Sequence, residues 1–155
     1  MRSFAIALGV ALSLGLAACI GPSDRRAGFA LTGEVVDDFP TDWSFSDAER
    51  EIAVEVSSPY FIPHSVTVWC ATRAGILHLG ARDPETKSWP GWVDDDPNVR
   101  LRIAGKLYDV RLEPVEDAAQ IAAIRRAYAA KYELPQMASG EGPPIRYWTV
   151  VPRES

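Results

Sequence analysis

Histidine and cysteine are scarce in this chain, with two of each in 155 residues. That scarcity limits the chemistry. His64 and His78 fall in different predicted strands, and nothing in their spacing demands a metal. The HExxH and CxxC patterns are missing, as are a serine nucleophile elbow and a Walker loop. No block of lysine and arginine is present, which argues against nucleic acid as a partner. No internal repeat is visible, so solenoid and propeller architectures are set aside. Long apolar runs are also lacking. The longest, from Phe4 to Ala18 with Gly and Ser inside it, is too short and too rich in small residues for a comfortable membrane span.

That run is nevertheless informative. It follows Arg2 and ends in Leu16-Ala17-Ala18-Cys19. A charged start, an apolar centre and a small-residue end make a signal peptide, which stands apart from the fold. The ending resembles the lipobox of bacterial lipoproteins. The resemblance implies cleavage before Cys19, lipidation of its sulfur and acylation of its new amine. One acyl chain anchors only marginally, whereas two or more hold a protein on a membrane. Ile20 rather than aspartate follows, which by the sorting rule of such lipoproteins implies the outer membrane and its periplasmic face.

Three segments are expected: 1–18 as signal peptide, 19–31 as lipidated tether, and 32–155 as a single domain by length. Removing Arg2 with the signal leaves 15 basic residues against 21 acidic, a net charge of −6. Adhesion to anionic head groups is therefore not expected. With Cys19 lipidated, Cys70 has no partner for an internal disulfide. Its apolar strand marks it as a small buried hydrophobe.

The domain reads as mostly β. "EIAVEVS" places Ile52, Val54 and Val56 on one face. "SVTVWCAT" alternates Val66, Val68 and Cys70 with Thr67, Trp69 and Ala71, and a short Arg73-Ala74-Gly75 connection leads into "GILHLGA". "NVRLRIAGKLYDVRLEPV" is a second hairpin, with Val99, Leu101 and Ile103 facing inward and its turn at Ala104-Gly105. "RYWTVV" is a last strand. "SDAE", Ser46 to Glu49, has the form of a capping box but predicts a single turn at most. One helix is clear after Pro114. Asp117 is its N-cap, Ile121, Ile124, Tyr128 and Tyr132 form its apolar stripe, and Pro135 stops it. Arg125, Arg126 and Lys131 suit its dipole near the carboxyl end. Six strands joined mainly as hairpins, with one helix in the C-terminal half, predict a small closed or half-closed barrel.

The segment "TKSWPGWVDDDPNVRLRI" holds the candidate chemistry. Pro90-Gly91 between two tryptophans predicts a bend, with Trp89 exposed to a ligand and Trp92 packed inward. Asp94-Asp95-Asp96 reads as a solvated turn before Pro97.

From Pro63 to Val115 the chain resembles the FMN-binding split β-barrel superfamily. That group includes pyridoxamine phosphate oxidase-like proteins and deazaflavin-dependent nitroreductase and quinone-reductase relatives. Pro63, Val68-Trp69, Thr86-Lys87 and Asp96-Pro97-Asn98-Val99 carry the resemblance. "DWSF", Asp42 to Phe45, is similar to a segment of bacterial lipoproteins of that kind. The resemblance implies a mainly β (α+β) split barrel of six strands. It implies Thr86 and Lys87 as phosphate contacts, and the strand Ser65–Trp69, with Thr67 and Trp69, beside the ring system. Trp89 becomes a stacking wall. The implied cofactor is FMN or a deazaflavin, and the implied assembly a homodimer. Two functions remain open: an anchored binding module for an unknown ligand, and a flavin- or deazaflavin-dependent oxidoreductase.

Overall fold

The computed structural model describes residues 27–154. Cys19 and the apolar run before it lie outside them. Seven strands form one sheet: β1 (Glu34–Val36), β2 (Ile52–Val56), β3 (His64–Arg73), β4 (Ile76–Arg82), β5 (Asn98–Ile103), β6 (Lys106–Pro114) and β7 (Ile145–Val151). The order β1-β6-β5-β2-β3-β4-β7 closes because β7 also pairs with β6. The six strands β2 to β7 are antiparallel throughout. The short β1 is an extra strand, parallel to β6.

The period-2 alternation decides which side chains fill the barrel. Val54, Cys70, Leu77, Leu79, Leu101, Leu112 and Trp148 meet inside and are fully buried. Val68 and Ile103 are buried with them, while Val66 is only half-buried at the margin of the core. Arg100 and Arg102 point outward as expected. Arg100 forks onto Asp109, directly opposite on β6, at 2.7 and 2.8 Å.

Both predicted hairpins close through Ala-Gly pairs. Ala74 and Gly75 have φ of 51° and 76°, and Ala104 and Gly105 have 49° and 79°. Two consecutive left-handed residues match the right-handed twist of the flanking strands, so each connection needs only two residues.

Three helices complete the domain: α1 (Trp89–Asp95), α2 (Ala118–Tyr132) and α3 (Gln136–Ser139). The Asp117 carboxylate accepts the backbone N–H of Gln120 at 2.7 Å, which caps α2. Ile124 and Tyr128 of the stripe are buried, and Ile121 and Tyr132 pack beside them. "SFSDA" forms one 3₁₀ turn at Ser44–Ala48, in keeping with the weak signal there.

Two expectations are corrected. The Pro90-Gly91 bend is a helix: Pro90 sits in the first turn of α1, where no N–H is needed, and Asp94 and Asp95 continue the helix. Asp94 is not a free turn residue, because Arg146 grips it at 2.5 and 2.8 Å. The end of the tether is also structured. Gly28 pairs with Ser65, Leu31 is buried, and its N–H donates to the Glu55 carboxylate at 2.5 Å.

Candidate ligand-binding site

The outer face of a barrel is ordinarily polar. Here, at β3, β4 and β7, it is covered. Ala71, His78 and Tyr147 point outward, yet all three are buried. The helix α2 covers them, so these strands are enclosed on both faces. A glycine makes the approach close. A side chain at Gly80 would begin 3.1 Å from the Tyr128 hydroxyl and 3.3 Å from the Tyr147 ring.

Two tyrosines of α2 use their hydroxyls to dock onto the strands. Tyr128 donates toward the carbonyls of Trp69 at 2.9 Å and His78 at 3.1 Å. Tyr132 works where β2 begins. Ile52, the first β2 residue, pairs with Val68, so Cys70 has no β2 partner on that side. The Tyr132 hydroxyl fills the gap, accepting the Cys70 N–H at 3.0 Å and facing the carbonyls of Cys70 and Arg50. Burial pushes both phenols above the ordinary tyrosine range.

Beside this junction lies a cavity of about 450 Å³. Its floor is β3, β4 and β7; its walls are α2, α3 and the segment around Gly140–Pro143. That volume suits a small-molecule ligand. Ala81, Trp89, Ile145 and Tyr147 give it an apolar lining. Three cations line it, Arg82, Lys87 and Arg125, with Glu51 and Glu141 as the anions.

Of the six candidate ligand residues, Thr67, Trp69, Lys87 and Trp89 line this one cavity. They come from a strand, a loop and a helix start, so only the fold gathers them. Lys87 Nζ hydrogen-bonds the Arg82 carbonyl, which holds the ammonium at the cavity wall. Asp83 does not take the lysine; it pairs with Arg82 at 3.3 Å. Trp69 stacks on Tyr132, with ring centroids 4.3 Å apart and planes 13° from parallel. Its indole N–H donates to Glu51, and the Arg50 guanidinium lies over its ring at 5.9 Å.

Ser65 and Thr86 lie elsewhere. Ser65 is fully buried at the chain's entry, where its Oγ donates to the Phe29 carbonyl at 2.6 Å. The Thr86 hydroxyl donates to the Asp83 carbonyl and closes the turn before Lys87. Of the two indoles of α1, Trp89 is not exposed as expected but buried against Trp148 at 5.1 Å. Trp92 packs against the core as expected, though only half-buried, with its ring edge-on to His64. The helix turns Trp89 toward the closing strand and leaves Trp92 at the margin of the core.

Sequence reasoning missed Arg82, Arg125 and Tyr147. Arg125 reads as a dipole partner of α2, but its position opposite Gly140 brings it to the cavity. A side chain at Gly140 would start 2.5 Å from Arg125 Nη1. The Tyr147 hydroxyl is buried without a hydrogen bond of full geometry. Burial raises its pKa, and the nearby Arg125 opposes that rise. Two signals were in the sequence: the glycine inside strand "ILHLGAR", and two adjacent aromatics in "RYWTVV". Among the described residues no group of three His, Cys, Asp or Glu is placed to hold a metal ion. Cys70 is buried, and burial holds its thiol above the usual range against the pull of nearby Lys131.

No protein-family model matches the chain, and no curated protein matches it. Solved structures do. A conserved hypothetical protein of Mycobacterium tuberculosis superposes with a TM-score of 0.56 at 17% identity, over 79% of this chain and 87% of that one. A FAD-binding protein of Mesorhizobium loti gives 0.51 at 14%, over 72% and 84%. An F420-H2 dependent reductase gives 0.51 at 14%, over 66% and 94%. The fold is a split β-barrel. At such low identities the likeness carries the architecture alone.

Proposed function

We propose that this protein is an envelope lipoprotein whose split barrel binds a planar, phosphate-bearing small molecule of the flavin type. One observation carries the reading: the cavity of about 450 Å³ joins an aromatic and aliphatic lining to Arg82, Lys87 and Arg125. An ammonium and two guanidiniums suit a phosphate or pyrophosphate. The half-buried Trp69 indole, with the edges that Trp89 and Tyr147 leave at the cavity, suits a ring system. The buried Tyr147 hydroxyl, short of a full hydrogen bond, is a polar atom that a ring carbonyl or nitrogen would satisfy. The residues present therefore fit FMN or a deazaflavin, with Lys87 and Arg82 toward the phosphate and Tyr147 toward the ring. The FAD-binding and reductase neighbours support the same ligand class.

A bound flavin would supply hydride transfer, while the chain's own residues position it and exclude water. That makes an oxidoreductase the second reading, favoured by the reductase neighbour. Anchoring through Cys19 to the periplasmic face of the outer membrane and assembly as a homodimer belong to the same proposal.

Titrating FMN and a deazaflavin while following tryptophan fluorescence tests it. Trp69 and Trp89 line the cavity and will be quenched as it fills. Lys87→Ala will weaken binding by a charge-assisted hydrogen bond, about 1.5–3 kcal/mol or over tenfold. No quenching by either cofactor at millimolar concentration overturns the flavin reading. If one binds, its turnover with a nitro or quinone acceptor separates enzyme from binding module.

A further inference from the structure

The connection between β2 and β3 is apolar where a loop is ordinarily polar. "SSPYFIPHS", Ser57 to Ser65, contains no Asp, Glu, Lys or Arg. Tyr60, Phe61 and Ile62 stand in a row, exposed by 73, 99 and 54%. The Phe61 side chain is almost wholly in solvent, and its backbone is left-handed at φ 58°. A bulky residue in that region is a genuine outlier. The loop is also held in shape. Ser58 Oγ donates to the Ile62 carbonyl at 2.7 Å, the Phe61 N–H donates to the Ser58 carbonyl at 3.1 Å, and Pro59 and Pro63 fix the flanks. A rigid, charge-free, outward-facing triplet is built to meet something apolar.

The path of the chain indicates what that is. The described domain is entered at Gly28, whose N–H and C=O both bond Ser65, the second residue of β3. Ile62 lies only three residues before Ser65. Phe29, next in the chain, is itself 58% exposed and accepts the Ser65 hydroxyl. Nine peptide steps separate Gly28 from Cys19, a reach of about 30 Å when fully extended. An anchor at Cys19 therefore keeps this end of β3 within a domain's width of the lipid.

We propose that Tyr60, Phe61 and Ile62 form a second, non-covalent membrane contact, seated at the boundary of head groups and acyl chains. This inference rests on the anchoring at Cys19 given above. A tyrosine beside two fully apolar side chains suits that boundary, where one end of the ring is wet and the rest is not. The chemistry is hydrophobic, because the exported chain is acidic and the loop uncharged. Zwitterionic phosphatidylcholine is therefore enough, and salt does not release the contact. The consequence is orientation: a second contact beside the anchor fixes which face the domain presents to the periplasm.

The lipidated protein, reconstituted in phosphatidylcholine vesicles, tests this. Phe61→Cys is labelled with an environment-sensitive nitrobenzoxadiazole dye. Ile76→Cys, 45% exposed at the far end of β3's hairpin, is the control. Native Cys70 is buried and stays unlabelled. The dye at 61 will shift to the blue and lose most of its emission to lipids carrying a shallow nitroxide, unchanged in high salt, while the dye at 76 will read as aqueous. A water-like, unquenched signal at 61 in protein that floats with the vesicles overturns the membrane contact and leaves the anchor standing. Protein that does not float shows instead that the anchor has failed. A blue shift at 61 without nitroxide quenching, appearing only as protein concentration rises, assigns the patch to a second copy of the chain and also overturns the proposal.

Discussion

At the scale of single residues, His78 has the least ordinary surroundings. It lies beneath α2, almost fully buried, with Nδ1 beside the Thr149 hydroxyl at 3.2 Å and Nε2 without a partner. Burial, with help from Arg73, pushes its pKa down to about 4. The imidazole is therefore neutral in the folded protein where the unfolded chain, with an ordinary value near 6.5, has already bound a proton. Stability contributed by the neutral ring is fully present above about pH 6.5 and is lost as pH falls toward 4, by about 3 kcal/mol at most. His78→Gln removes that proton uptake. Denaturant midpoints measured between pH 7 and 4.5 will fall more steeply for the wild type than for the variant. Parallel curves would mean that another group governs the acid limb. Lys131, mostly buried, is a second residue with a settled role: it reaches Asp47 at 3.4 Å and the Ser46 carbonyl at 3.3 Å, tying α2 to the 3₁₀ turn.

At the scale of elements, the agreement between pattern and structure follows from how local each signal is. The alternation of Val99, Leu101 and Ile103 with Arg100 and Arg102 needs only a sheet with one dry face, and it places β5 correctly. The cap, stripe and proline of α2 are equally local. The Trp89–Asp95 helix reads as a bend in the sequence because Pro90-Gly91 is a turn signal in most contexts. Only the packing of Trp89 and Val93 against the barrel makes it helical. The hairpins show a local cost. Ala104 holds a left-handed conformation that L-residues with a Cβ resist by roughly 1–2 kcal/mol. Asparagine tolerates that region, so Ala104→Asn is expected to raise stability by up to about 1 kcal/mol. Equilibrium unfolding in urea reads the effect as a higher midpoint at unchanged slope. A lower midpoint would show that the methyl of Ala104 packs in a way its exposure does not reveal.

At the scale of the whole molecule, residues 27–154 form a split barrel carrying its cavity on an outer face, and the proposed anchor at Cys19 precedes it in the chain. The anchoring proposal has its own test. Cys19→Ser is expected to leave the chain unlipidated with its signal uncut by the lipoprotein peptidase, so it will migrate and fractionate differently from the wild type. Identical behaviour of the two would remove the anchor from the proposal while leaving the cavity untouched. The barrel closes by pairing β7, the last strand, with both β4 and β6. Residues 145–151 therefore complete the core and supply Ile145 and Tyr147 to the cavity in one step. Core and candidate site are expected to form together.

The sequence by itself determined what short-range chemistry can encode. Side-chain alternation over five to ten residues assigned strand faces, a capped amphipathic stretch assigned α2, and two Ala-Gly pairs assigned hairpins. The hairpin-joined strands pointed to a barrel, and the resemblance over Pro63 to Val115 made it a split barrel with Ser65, Thr67, Trp69, Thr86, Lys87 and Trp89 as candidates, of which Thr67, Trp69, Lys87 and Trp89 line one cavity. The tertiary structure decided everything that depends on long-range closure. It separated Ser65 and Thr86 from that cavity, because the N-terminal segment binds Ser65 and a turn uses Thr86. It buried Trp89 more deeply than Trp92, and it brought Arg125 from α2 and Tyr147 from β7 to the cavity that Lys87 lines, from positions as much as 60 residues apart in the chain. A period of two or 3.6 residues tells a side chain which face it is on. It cannot tell that face which other element will cover it.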